Sequence, residues 1–358
     1  MVGANLGDLR SRLLVQCQPG QAKNAARVAS THGTGLVLTG RTPGPVVRAL
    51  REHGFTGPIL CDANRYSGRR RSPAVSGLRA SWTAEQQDLG LVAVTDSGYL
   101  GEHDWLGLRR ILTDASRQRG PVIPMLPLAA RWFEHSVDGL VAELNHFGLP
   151  AAVAIEHPRD PFSVRYLIRG FLELLEAEVP ILLLRSNVSA LGALCHGAHT
   201  AAIGTTCALR HLYPRGGRGA PRLPSIAAFV PRLLDYRPLP TIATQTPPAW
   251  RCDCPECDGR PLITLARSQR PEASAFRHSL SAQLTLHDRL CRRPVPAAAW
   301  HELCGNALAE HRYLAESLPD WHPPTNLRAW YQLTRDALAE HVQLPRQPAL
   351  GQDQRARG

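Results

Sequence analysis

Residues 13–62 read LLVQCQPGQAKNAARVASTHGTGLVLTGRTPGPVVRALREHGFTGPILCD. Three short apolar runs, 13–17, 35–39 and 58–62, alternate here with two stretches, 21–31 and 43–53, that carry apolar residues at helical spacing. Apolar runs bounded by Gly and Pro fit strands buried on both faces, and helices between them supply the crossovers that parallel strands require. The pattern continues outward. Further strands are expected at 91–96, 122–127, 152–156, 180–185 and 201–205, and further helices at 83–89, 102–119, 131–147, 161–178 and 188–197. Eight strand–helix units in succession predict an α/β fold, a closed (β/α)8 TIM barrel over 10–212. No Gly-x-Gly-x-x-Gly follows the first strand, which argues against a dinucleotide-binding sheet.

Beyond the eighth run the texture changes. Residues 213–250 form a Gly/Arg/Pro-rich connector, and 251–345 are expected to make a metal-binding helical subdomain with helices at 271–290, 300–318 and 326–342. Residues 346–358 read as a frayed tail.

The chain has 358 residues, with 41 Lys plus Arg against 30 Asp plus Glu, a formal charge of +11. Nearly all the positive charge is arginine, whose planar fork suits phosphate, so a polyanionic partner is expected. Neither a secretory leader nor a run of about 18 apolar residues is present, so no membrane contact and a reducing, cytoplasmic setting are expected. There, clustered cysteines hold metal more readily than they pair. Residues 251–260, RCDCPECDGR, place Cys252, Cys254 and Cys257 in one tight loop. Three thiolates need one further nitrogen or sulfur to close a tetrahedron around zinc. His287 is the expected fourth ligand, with His278 and Cys291 as alternatives, and such a closed site is structural.

In a barrel, chemistry gathers at the C-terminal strand ends. Asp62 ends the third strand, Asp96 the fourth, Glu156 the sixth, and Arg185-Ser186-Asn187 the seventh. Asp62 and Asp96, on adjacent strand ends, fit the roles of nucleophile or proton carrier and base reader. Arg69, Arg70 and Arg71 after the third strand, with Arg210, Arg215, Arg218 and Arg222 after the eighth, read as phosphate contacts.

A barrel whose eighth strand leads into Cys-x-Cys-x-x-Cys and a later His resembles the tRNA-guanine transglycosylase family and its DNA-modifying relatives. The likeness runs from the third strand to His287, with the cysteine motif its most specific part. It implies exchange of guanine for a 7-deazaguanine base in tRNA or DNA through a covalent enzyme–sugar intermediate. By strand order, Asp62 falls where the family keeps the aspartate of its Asp-Ser-Gly-Gly-Phe-Gln motif, and Asp96 where it keeps the aspartate that reads the base edge. The letters Thr95-Asp96-Ser97-Gly98 look like that same motif, which brings Ser97 and Gly98, with Glu156 and Arg210, into the expected substrate pocket.

At the end of strand eight the family keeps its nucleophilic aspartate; here Gly204 stands in its place, while Arg210 keeps the family's arginine. Two readings follow: a pentosyltransferase using Asp62 as substitute nucleophile, or a non-catalytic, zinc-containing nucleic-acid-binding subunit, alone as a homodimer or beside a catalytic partner. A barrel enzyme for a small phosphorylated metabolite is the third.

Overall fold

The computed structural model describes residues 6–216 and 225–342, and of 335–342 the backbone alone. Its first part alternates β1 (Arg12–Cys17), α1 (Ala22–Thr31), β2 (Leu36–Thr39), α2 (Gly44–Glu52), β3 (Ile59–Asp62), α3 (Ala80–Asp88) and β4 (Ala93–Val94). It continues through α4 (Trp105–Ser116), β5 (Val122–Ile123), β6 (Met125–Ala129), α5 (Trp132–His135), α6 (Val137–Phe147) and β7 (Ala151–Glu156). Then come α7 (Arg165–Leu174), β8 (Ile181–Ser186), α8 (Ser189–Cys195) and β9 (Thr200–Gly204). Each expected strand is present, the fifth divided into β5 and β6 at Pro124, which has no N–H to give a ladder.

All the pairings among these strands are parallel. Seven form one curled sheet in the order β3-β2-β1-β9-β8-β7-β6, and β5 pairs separately with β4. Side chains alternate between the two faces. Leu14, Val37, Leu60, Val94, Met125, Ala154, Leu184 and Ala202, one from each expected strand position, share an inner apolar cluster. Leu13, Leu36, Ile59, Val153, Leu183 and Ala201 face outward into the larger core beneath the helices. Burial on both faces is why the strands read as unbroken apolar runs.

The expectation of a closed eight-stranded barrel is corrected here. Among the described residues no ladder joins β3 to β4, so the ring of hydrogen bonds stays open at that seam. The reason lies in α3. The Gln86 side chain accepts from Val94 N–H and donates to Val94 C=O, both at 3.0 Å, and Trp82 Nε1 donates to the same carbonyl at 2.8 Å. Buried backbone groups must find partners, and those β4 would offer to β3 are already taken by a helix.

The remaining elements lie beyond β9. An antiparallel hairpin, β10 (Ala227–Val230) and β11 (Asp235–Pro238), stands in the connector and was not foreseen, and the helix α9 (Leu239–Gln245) follows it. Three long helices, α10 (Pro271–Cys291), α11 (Pro296–Ser317) and α12 (Thr325–Val342), end the described chain. α10 packs on α1 and β10, α11 on α8, and α12 on α7 and α11, so these helices lie against the outer helical layer.

Gln86→Leu keeps the side-chain bulk and removes the hydrogen bonds, leaving Val94 N–H buried without a partner. A loss of about 1–3 kcal/mol is expected in urea unfolding. An unchanged midpoint would show that the open seam is held by other means.

Candidate functional site

Two polar centres stand out. The first is the cysteine loop. Cys252, Cys254, Cys257 and His278 are all buried, and one donor atom from each lies within 4.8 Å of the others. The loop closes through its own backbone, with Cys257 and Asp258 N–H donating to Cys254 C=O at 2.9 Å and Gly259 N–H to Cys252 C=O at 3.0 Å. The turn passes through φ +72° at Gly259, a conformation that suits glycine. His278 Nε2 donates to Phe229 C=O at 2.7 Å, which fixes the tautomer and leaves Nδ1 toward the sulfurs, 3.0 Å from Cys257 Sγ and 3.6 Å from Cys254 Sγ. An outer-shell carbonyl holding the imidazole in this way is usual in metal sites. Hydrogen bonds from Cys252 and Cys257 draw the Cys254 thiol far below its ordinary value. The cluster therefore fits one metal ion held by three thiolates and an imidazole.

His287 is not part of it, which corrects the expected fourth ligand. Its Nε2 donates to Ser11 C=O at 2.9 Å and lies 3.3 Å from Cys291 Sγ, and its Nδ1 lies 3.3 Å from Asp288 Oδ1. Burial works against its charge, but Asp288 and Cys291 outweigh burial and hold its pKa up at about 9.

The second centre is the mouth formed by the C-terminal strand ends. Asp62 and Arg185 are buried there, with side chains 1% and 3% exposed, and form an ion pair of 3.1 Å. Asp62 Oδ2 also accepts from Gln16 Nε2 at 3.0 Å, Thr39 Oγ1 at 3.2 Å and Tyr66 OH at 2.8 Å, while Oδ1 accepts from Asn64 N–H at 2.8 Å. Burial pushes the Tyr66 phenol well above its ordinary value and keeps it a donor. Arg185 lies over the Tyr66 ring at 4.8 Å, and its N–H donates to Gln16 Oε1 at 2.7 Å. The φ of Arg185 is +52°, where the pairing of β8 with β9 shifts register. Few side chains accept that backbone conformation, and here it turns an arginine into the interior.

Asp96 is equally engaged. Its Oδ2 accepts from Arg65 Nη1 at 2.8 Å and Arg79 Nε at 2.5 Å, and its Oδ1 from Arg79 N–H at 2.9 Å. Ser97 turns back onto Thr95, with 2.7 Å between the hydroxyls. A Cβ on Gly98 would meet Pro73 C=O at 2.2 Å, so only glycine allows the loop after β3 to pass. Glu156 accepts from Arg71 and from Tyr99 OH, and Arg71 lies over the Tyr99 ring at 3.5 Å. Arg210 stacks over Tyr236 at 3.7 Å and donates to Gly204 C=O. Arg69, Arg70 and Arg215 are exposed, and Arg218 and Arg222 lie outside the described residues.

Sequence order thus brings Asp62 to the mouth but does not foresee Arg185 as its partner. Nor does it reveal what fills the place where the resemblance expects an acid. A Cβ on Gly204 would sit 2.1 Å from Leu209 C=O, so the chain's own backbone occupies the space a side chain would need.

No protein-family model matches the chain, and no curated protein matches it. Among solved structures, wild-type GGGPS from Thermoplasma volcanium is similar over 56% of this chain and 86% of its own length, at 11% identity and a TM-score of 0.33. Nitroalkane oxidase from Streptomyces ansochromogenes is similar over 93% of this chain and 99% of its own, at 15% identity and a TM-score of 0.23. Likeness this low carries no assignment, so function is argued from the residues. Among the described residues no helix is long and apolar enough to cross a membrane.

Two outcomes separate the histidines. His278→Ala is expected to lose a metal ion that the wild-type protein carries at about one per chain, while His287→Ala retains it; metal analysis of both decides, and the reverse pattern restores His287 as ligand. The raised pKa of His287 makes a contribution to stability that is whole below its ordinary value of 6.5 and is lost as pH rises through about 9. Melting temperatures of wild type and His287→Ala should therefore differ most below pH 6.5 and converge toward pH 10. A constant difference would remove His287 from the pH dependence.

Proposed function

We propose that this chain is a zinc-carrying relative of the tRNA-guanine transglycosylases that binds tRNA or DNA without exchanging a base, as the partner of a catalytic chain. The observation that carries this reading is the end of β9. The resemblance expects a nucleophilic aspartate at position 204, and Gly204 leaves no room for any side chain beside Leu209 C=O. The acids that might substitute are each spent on arginine: Asp62 on Arg185, Asp96 on Arg65 and Arg79, Glu156 on Arg71. A nucleophile needs a free lone pair and a path to the sugar carbon, and a carboxylate held by several donors has a poor claim to either.

Zinc is the metal that three thiolates and one imidazole in a closed, buried set favour. It would tie the loop of residues 252–257 to α10, which gives it a structural part. Glu256 joins the same loop to α1 and α10 through Arg27 at 3.3 Å and Arg277 at 2.9 Å. Exposed Arg69, Arg70 and Arg215, within a chain of charge +11, supply the phosphate contacts.

A second reading keeps base exchange in this chain. It draws on the position of Asp62 at a strand end, beneath an arginine that lines the mouth cavity. An incoming guanine or 7-deazaguanine would have to draw Arg185 away before Asp62 could attack the sugar.

Incubation with labelled guanine or 7-deazaguanine, together with tRNA or duplex DNA, separates the two. Salt-sensitive binding without incorporation is expected, and Arg70→Gln should lower the salt slope by about one. Incorporation that is lost in Asp62→Asn would establish the second reading instead.

A further inference from the structure

At the mouth, Gln18, Asn64, Ser67, Arg69, Arg185 and Arg215 line a cavity of about 520 Å³, walled on its apolar side by Leu209, Leu212, Tyr213 and their neighbours. Among the described residues three arginines and no carboxylate face it. Such a lining is unusual in a protein whose other mouth acids are each matched with arginine, and it leaves positive charge in excess.

We infer that this cavity is an oxyanion site, built by Arg69, Arg185 and Arg215 to hold a phosphate group. Arg185 is its fixed element. Its Nε and Nη2 bind Asp62 and Nη2 also binds Asn64, while Nη1 takes none of these hydrogen bonds. Asp62 orients the guanidinium, the left-handed backbone at φ +52° carries it inward, and Nη1 is left to serve the cavity. Pre-oriented donors bind anions well because their side-chain entropy is already spent. Arg69 has no hydrogen-bond or ion-pair partner among the described residues, and Arg215 donates to Arg71 C=O at 2.8 Å, which brings its guanidinium over the same loop.

Two unpaired polar atoms lie close in sequence to the lining. Ser186 Oγ and His211 Nε2 are buried without a hydrogen-bond partner among the described residues, and in sequence Ser186 follows Arg185 and His211 precedes Leu212, two lining residues. His211 is 7% exposed and Ser186 2%. Buried polar atoms are normally satisfied, and the His211 ring packs at 4.0 Å on Tyr213, a wall of the cavity, so its unpaired nitrogen lies one ring away from that wall. Burial, with His157 and Arg185 adding, lowers the His211 pKa to about 4, so at neutral pH His211 is uncharged. In closed (β/α)8 barrels the loops after strands seven and eight often hold phosphate, and in this open sheet Arg185 stands at the end of β8 and Arg215 follows β9, the corresponding strands.

The phosphate has two sources, a phosphodiester of nucleic acid or a free phosphorylated molecule. The first deepens the nucleic-acid reading and rests on it; the second does not.

The test is calorimetric titration of the full chain with inorganic phosphate in low-salt chloride buffer. Wild type is expected to bind, and Arg69→Gln and Arg215→Gln, both at exposed positions and safe for folding, to weaken binding at least about fivefold each. Arg185→Lys, which keeps the charge beside Asp62 and loses the fork, should weaken it further, with circular dichroism confirming the fold. Arg117→Gln on the far surface should leave it unchanged. Competition then identifies the source: a short oligonucleotide without terminal phosphates displaces inorganic phosphate if the ligand is a phosphodiester, whereas a mononucleotide alone does so if it is a phosphomonoester. Absence of phosphate binding, or equal binding by wild type and both glutamine variants, overturns the site. Tight tRNA or DNA binding in that case leaves the nucleic-acid reading standing, and phosphate binding without tRNA or DNA binding overturns that reading while keeping the site.

Discussion

A carboxylate and a guanidinium buried together inside a curled sheet must neutralise one another, and much of the mouth is arranged around that requirement. Removing either charge alone would leave the other stranded in a medium of low polarity, at a cost of several kcal/mol. Gln16, Thr39, Tyr66 and Asn64, drawn from β1, β2 and the turn after β3, add donors to the Asp62 carboxylate. Arg185 comes from β8 on the far side of β1 and β9. The pair thus fastens strands that are not neighbours, which is a structural use of charge at the strand ends where (β/α)8 barrels do chemistry.

The open seam between β3 and β4 belongs to the same arrangement. β4 is two residues long, and its outer edge is satisfied by Gln86 and Trp82 of α3. Just past it, Asp96 is held by Arg65 from the loop after β3 and by Arg79 at the start of α3. Where backbone pairing fails to bridge the two strands, side chains and arginine do so at the top. Isolated surface ion pairs contribute little, but a fully buried Asp96 bound by two arginines and a backbone N–H is of another kind.

How much of this could be read from the chain follows from the range of each interaction. The strands were legible because burial on both faces writes itself into consecutive letters, as in LLVQC and GLVLT. Gln16 breaks the first run at an inward position and Arg185 ends the seventh, and a polar residue inside an apolar strand was the available sign that partners lay within. Which partners they were depended on curvature, which no local pattern carries. The open seam was illegible for the same reason, since Gln86 reaches β4 only in the folded chain. The metal ligands divide the same way. Three cysteines within six residues announce themselves, but His278 and His287 stand nine residues apart on α10, about two and a half turns, and so face opposite sides of one helix. Spacing alone could not say which side meets the loop. The packing of α10 on β10 does, because Phe229 C=O is there to hold His278.

Gly204 joins these threads. The aspartate that the resemblance leads one to expect at the end of β9 is more than one substitution away. Leu209 C=O comes within 2.1 Å of where a Cβ would stand, and Arg210 donates to Gly204 C=O before stacking on Tyr236 of the hairpin. The turn from β9 toward the hairpin therefore runs through the volume that a side chain at position 204 would occupy. Restoring an aspartate requires rerouting residues 205–210, and with them the stacking of Arg210 on the hairpin whose Phe229 supports His278. The turn after β9, the hairpin and the metal loop are thus linked in one chain of contacts, from Gly204 through Arg210 and Tyr236 to Phe229 and His278.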